Sequence, residues 1–100
     1  MFYHPMYRNI RYTDGVQFVH KHAGWVITDM LAVLTHHKNV KSQDFVCVKV
    51  NVTKDRRAIM TYEDGDCKVL YRQEYDATDL SVNEIKFFYT DGVLMLASEY

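Results

Sequence analysis

The 100-residue chain sets 12 Lys and Arg against 13 Asp and Glu, a formal net charge of -1, with 48% hydrophobic and 25% charged residues. That balance belongs to a folded domain rather than a disordered segment, and the length predicts one domain, residues 1–100, able to bury a core without staples. It provides no basic surplus of the kind that neutralises phosphates, which argues against nucleic acid as the main partner.

The longest apolar stretch, Trp25 to Leu34, is interrupted by Thr28 and Asp29 and falls short of the ~20 residues a membrane span requires. Met1-Phe2-Tyr3-His4-Pro5 lacks the basic-then-apolar order of a secretory signal. No membrane association is expected.

Residues 1–12, with Tyr3, Tyr7, Tyr12, Pro5, Arg8 and Arg11, read as an N-terminal arm, extended or a short edge strand. A helical part follows over residues 13–38. Thr13 or Asp14 caps its start, and Asp14 with Gln17 has the spacing of a capping box. Val16, Val19, His20 and Ala23 share one face at helical spacing. Gly24 leaves open whether residues 14–38 form one kinked helix or two. Beyond it, Val26, Ile27, Met30, Leu31, Val33 and Leu34 cover more than half a helix circumference and mark the buried helix. Its end is expected near His36-His37-Lys38-Asn39, with Asn39 as a left-handed stop.

From Asp44 the apolar period changes to two. Val46, Val48, Val50 and Val52 alternate with Cys47, Lys49 and Asn51, the pattern of a strand with one committed core face. Thr53-Lys54-Asp55-Arg56 turns into a second strand over residues 57–63, and Asp64-Gly65 into a third over 67–74. Residues 76–81 read as a loop or a single helical turn, with Asp79 or Ser81 as candidate caps. A fourth strand spans 84–89, and Asp91-Gly92 turns into a fifth over 93–97. Asp-Gly supplies the positive φ angles of a tight type I′ turn. Short turns make consecutive strands antiparallel. The expected fold is therefore α+β, with one or two N-terminal helices packed on a five-stranded antiparallel meander over residues 44–97.

Cys47 and Cys67 are the only cysteines. In a meander one strand separates them, which places them roughly 9–10 Å apart, beyond the reach of a disulfide. Two unpaired thiols in strands suggest a reducing compartment, with the cytoplasm as the default.

No catalytic or cofactor motif stands out. His20 and His22 diverge on a helix, His36 and His37 are adjacent, and no Cys or His pair has zinc spacing, so no metal site is expected. Four glycines make no phosphate loop. Asp29 is the odd residue, an acid in the most apolar segment. It either lies on a narrow polar stripe with Thr28, bonds a tyrosine hydroxyl, or serves a pocket between helix and sheet together with a histidine and a tyrosine.

The surface offers three candidate patches. Phe45, Ile59, Leu70 and Phe88 fall on the sheet face opposite the valine row, where an apolar patch marks a partner or dimer interface, unless Phe2, Tyr3 and Tyr7 fold back over it. Asp64, Asp66, Asp76 and Asp79 form a candidate acidic patch able to imitate phosphates. Arg8, Arg11, Lys38 and Lys41 form a candidate basic stripe.

The segments Tyr12-Thr13-Asp14-Gly15-Val16, Ala23-Gly24-Trp25 with Asp29, and Asp91 to Ser98-Glu99-Tyr100 carry a resemblance. They are similar to a family of small uncharacterised proteins of bacteria, cyanobacteria and phages, sharing a Tyr-Thr-(Asp/Glu)-Gly-Val helix start and an end near Ser-Glu-Tyr. The resemblance runs from about Tyr12 onward and implies provenance, with no established activity.

Together these features lead to the expectation of a non-catalytic protein-binding module of phage or mobile-element origin, an inhibitor of a host defence system such as CRISPR, able to homodimerise. The alternatives are a small enzyme or ligand-binding domain built on Asp29, and a nucleic-acid-binding regulator.

Overall fold

The computed structural model describes every residue except Ala77, Asp79 and Ser81. The elements run β1 (Phe2–His4), β2 (Tyr7–Tyr12), α1 (Asp14–His22), α2 (Gly24–His36), α3 (Lys38–Lys41), β3 (Phe45–Val52), β4 (Ala58–Glu63), β5 (Val69–Tyr75), β6 (Glu84–Thr90) and β7 (Val93–Leu96), closing on a 3₁₀ turn over Ala97–Glu99. Among the described residues no helix is long and apolar enough to cross a membrane.

The α+β expectation holds, but the sheet is larger and differently wired. Seven strands lie in the order β1-β2-β7-β6-β3-β4-β5. The N-terminal arm is a β-hairpin, and β2 runs parallel to β7, with Arg11 beside Val93 and Tyr12 beside Leu94. The remaining neighbours are antiparallel, so the sheet is mixed. The meander also breaks, because β6 crosses from beside β5 to pair with the far side of β3. Short apolar strands at similar spacing do not encode which neighbour each will choose.

Residues 14–41 make three helices rather than one or two. Thr13, in extended backbone, caps α1, and its Oγ1 accepts the Val16 N–H. The chain breaks at Ala23 (φ -148°, ψ 67°), and Gly24 opens α2 rather than interrupting α1. Asn39 is no stop: His37 ends α2, accepts the Asn39 N–H on its Nδ1 and so caps α3.

Two hairpin turns share one design. Thr53 and Asp64 each close a loop whose fourth residue, Arg56 or Cys67, takes a left-handed φ of 64° or 66°. A type I turn followed by such a residue is a common three-residue hairpin connection. Asp64 Oδ1 pins its loop by accepting N–H bonds from Asp66 and Lys68, both 2.9 Å. Cys67 therefore lies exposed in a turn and not in a strand, while Cys47 is half-buried in β3, and both thiols are free. Only Asp91-Gly92 makes the two-residue turn with both φ angles positive, 53° and 74°.

All three helices cover the valine face. Val46, Val48 and Val50 of β3, Met60 and Tyr62 of β4, Phe87 of β6, Leu94 of β7 and Ile10 of β2 meet Val26, Ile27, Met30, Leu31 and Leu34 of α2 in one core. Thr28 and Asp29 occupy the narrow polar stripe of α2, and each is taken by a different edge of the sheet. The Thr28 hydroxyl lies 3.3 Å from Nε2 of His4 in β1, while the Tyr75 hydroxyl in β5 donates to Asp29 Oδ2 at 2.9 Å. A flat seven-stranded sheet would be about 29 Å wide. Its two outermost strands can reach adjacent residues of one helix only if the sheet coils around that helix, as right-handed strand twist permits.

The chain's end clasps the start of α1. Glu99 Oε1 accepts from the Thr13 hydroxyl (2.6 Å) and the Leu96 N–H (2.9 Å), and Oε2 accepts from the Gly15 N–H at 3.3 Å. A carboxylate at a helix N-terminus satisfies orphan amides and suits the helix dipole. Gly15 is needed for the approach, since a Cβ there would stand 2.7 Å from both Glu99 Oε1 and Leu96 Cδ1.

Candidate functional site

A groove of about 410 Å³ runs between α2 and the edge strand β5, lined by Asp29, Ala32, Val33, His36, His37, Tyr71 and Gln73. Asp29, Ala32, Val33 and His36 are spaced three, four and seven residues apart, so they form one stripe of α2. Tyr71, Gln73 and Tyr75 alternate along β5 on the helix-facing side, opposite Tyr62, Met60 and Ala58 of β4.

Hydrogen bonds fix the polar groups of this groove. Buried Tyr62 donates to Gln73 Oε1 at 3.1 Å, with the Met60 sulfur at 3.4 Å. Tyr75 packs on Trp25, ring centroids 4.8 Å apart, and holds Asp29. Tyr71 lies against His37 at 4.2 Å and 31°. Burial, then the charges of Tyr75, Asp29 and Tyr71, push the Tyr62 phenol far above its ordinary range. Burial, then its bond to Asp29, does the same for Tyr75. Both phenols are thus donors at any physiological pH. Asp29 has no Lys or Arg among the described ion pairs.

Beneath the β1–β2 hairpin, on the other flank of α2, lies a histidine pair. His4 is buried, 8% exposed, and its Nδ1 accepts the Met6 N–H. Its ring stands edge-on to His20 at 5.6 Å, and Tyr7 and Tyr12 pack beside the pair. Burial, then the neighbouring His20, lowers the His4 pKa from its usual value. Among the described residues no three His, Cys, Asp or Glu side chains converge.

Among the described residues no α-helix packs on the sheet face opposite the valine row. Phe45 and Phe88 pack at 5.2 Å, and Tyr100 stands edge-on to both at 5.9 and 5.1 Å. Half-buried Cys47 and Met95 are the direct strand neighbours of Phe88. Burial, then Glu63, raises the Cys47 thiol pKa, so the thiolate is disfavoured. Toward the far end of the strands this face turns polar, with a Lys49–Glu63 pair at 3.3 Å.

The structure scatters much of what the sequence grouped. Phe45, Ile59 and Phe88 do face away from the helices, but Leu70 sits beside a register shift in β5 and packs against the core. Phe2 stacks on Tyr12 and Tyr7 meets His36, so neither shields the aromatic cluster. Asp64 and Asp66 sit in the β4–β5 turn, whereas Asp76 follows the other end of β5, about 20 Å away along the strand. Asp79 lies outside the described residues. Asp64 and Asp66 therefore share no patch with Asp76, and Asp64 is committed to its turn. Arg8 and Arg11 are exposed on β2, Lys38 and Lys41 on α3. Alternation puts Arg11 on the outer face, opposite buried Ile10 and Tyr12, so the basic residues do not form one stripe.

A helix–sheet pocket joining Asp29 to a histidine and a tyrosine was legible in outline, but not that His36, His37, Tyr71 and Gln73 would be the ones to line it. The readable signal was the seven-residue spacing of Asp29 and His36; the Tyr-x-Gln-x-Tyr alternation of β5 joins it only through the coiling of the sheet.

No curated protein and no solved structure matches this chain. The model of the family of unknown function DUF6876 matches residues 1–100. Its span takes in the Thr13 helix start and the Glu99 clasp alike, and the chain belongs to that family.

Proposed function

We propose that the protein is a non-catalytic protein-binding module that engages its partner through the uncovered sheet face. The carrying observation is the aromatic cluster of Phe45, Phe88 and Tyr100 on a face with no helix against it. Tyr100 is 72% exposed. Aromatic residues offer large contact area at low entropic cost, and rings in a polar surround are typical anchors of an interface. The flanking Lys49–Glu63, Arg72–Glu74 and Lys86–Glu84 pairs supply a polar rim.

The narrower reading, a phage or mobile-element inhibitor occluding a host defence protein such as a CRISPR effector, draws on the small size of the chain and the sequence resemblance. Its surface is the aromatic face rather than a phosphate-like acidic patch. The same face accommodates a homodimer.

The test is capture of partners on tagged protein from source-cell lysate at two salt concentrations, run in parallel with Phe88→Glu and Tyr100→Ala. A stoichiometric protein retained by the parent at both salts and lost from both variants supports the reading. Capture that survives both substitutions overturns it, as does the absence of both a captured protein and a dimer. A dimer seen by analytical ultracentrifugation and lost in Phe88→Glu would identify the partner as a second copy.

A further inference from the structure

We propose that the groove between α2 and β5 is a binding site for a guanidinium group, with Asp29 as its counter-ion. This goes beyond the sheet-face reading and does not depend on it. The fold needs an acceptor at position 29, because the Tyr75 hydroxyl donates to Oδ2 at 2.9 Å, but an asparagine carbonyl would serve equally. The negative charge is surplus to that bond, and no described Lys or Arg neutralises it.

What surrounds the charge suits a planar cation. Gln73 turns its Oε1 to the Tyr62 donor and keeps a second lone pair on that oxygen. Farther along the groove wall Tyr71 and His37 touch, ring centroids 4.2 Å apart and planes tilted by 31°, so an arginine whose guanidinium forks onto Asp29 can lay its stem along the groove toward their ring edges. A compact ammonium would meet Asp29 at a single point and forgo the fork. Ala32 and Val33 keep the floor small and apolar, leaving room in the 410 Å³ groove for the side-chain stem.

One chemistry has two sources, a free guanidino compound or an arginine presented by a peptide chain. Amide chemical shifts of the full-length protein would be followed during titration with agmatine, with acetyl-Gly-Arg-Gly-amide, and with the citrulline analogue of that peptide. Saturable shifts confined to residues 29–37 and 71–75 are expected with the arginine compounds, weakened about tenfold with citrulline and in Asp29→Asn. Tighter binding of the peptide assigns the group to a protein partner, and tighter binding of agmatine to a small molecule. Absence of saturable shifts, or a citrulline peptide bound as well as the arginine one, overturns the proposal. The citrulline comparison uses unaltered protein, so it stands even if Asp29→Asn fails to fold. Phe88→Glu is expected to bind agmatine normally, which separates this site from the sheet face.

Discussion

Removing the Glu99 carboxylate tests whether the C-terminal clasp holds the start of α1. Three donors converge on it, from Thr13 and Leu96 at 2.6 and 2.9 Å and from Gly15 at a longer 3.3 Å. Charge-assisted bonds are worth about 1.5–3 kcal/mol each when buried, and a lost N-cap typically costs about 1 kcal/mol. Glu99 is exposed, so solvent competes for every bond, and a total of about 1–2 kcal/mol is expected for Glu99→Ala. For a domain of this size each kcal/mol lowers Tm by about 4–8 °C. Glu99→Gln keeps one acceptor oxygen for Thr13 and Leu96 but turns an amide toward the Gly15 N–H, and should cost about half as much.

The pH dependence gives a second handle. Burial opposes ionisation of Glu99, but the bonds from Thr13, Leu96 and Gly15 outweigh it and hold the carboxyl below its ordinary 4.5. A group depressed in the folded state binds fewer protons there than in the unfolded chain. Its contribution is therefore complete above about pH 4.5 and fades as pH falls through the folded value. Thermal melts of the parent and Glu99→Ala at pH 7 and at pH 3–3.5 should show a gap that narrows on acidification. A gap of less than about 2 °C at pH 7, or one unchanged by acid, would refute the clasp as a stabilising device.

Three further outcomes follow from individual residues. His4 is held neutral by burial and by His20, so the folded state resists a proton that the unfolded chain takes up near pH 6.5. Stability should fall as pH drops below about 6.5, with amides of residues 2–12 exchanging first, and His4→Gln should flatten that dependence in melts between pH 7.5 and 5.5. Cys67 holds a strained left-handed φ of 66° in the β4–β5 turn; Cys67→Gly should raise the unfolding free energy read from urea titration by about 0.5 kcal/mol after the added chain entropy is subtracted. Tyr62→Phe removes the donor to Gln73 Oε1 from a fully buried ring, and should cost about 1 kcal/mol in urea titration with an unchanged m-value.

Local signals in the sequence were reliable where a single element decides the matter. The valine alternation of β3, the Thr13 helix start, the Asp91-Gly92 turn and the apolar run of α2 each follow from periodicity or from one residue's backbone preference, and each appears where expected. What failed depends on partners distant in sequence. The β2–β7 pairing joins residues more than 80 positions apart, and nothing in Tyr7–Tyr12 distinguishes an arm from an interior strand until its neighbour is known. The crossing of β6 past β4 and β3 is of the same kind. Distance along a strand is equally hidden: residues 64 and 76 look close in sequence, but a strand of seven residues keeps its two ends apart.

This division bears on where function resides. The Tyr12-Thr13-Asp14-Gly15-Val16 and Ser98-Glu99-Tyr100 segments meet in the Glu99 clasp, where their roles are capping and close approach. Features the architecture does not require lie elsewhere: an uncompensated Asp29 where asparagine would hold Tyr75 as well, and three aromatic rings on a face that no helix covers. The core gains nothing from either, since exposed rings lose the benefit of burial and the bond from Tyr75 needs no charge at position 29. On the binding roles proposed above, these are the positions where substitution separates binding from stability. Variants of Glu99 and Gly15 should thus change stability with binding intact in the folded fraction, and variants of Asp29 and Phe88 should do the reverse.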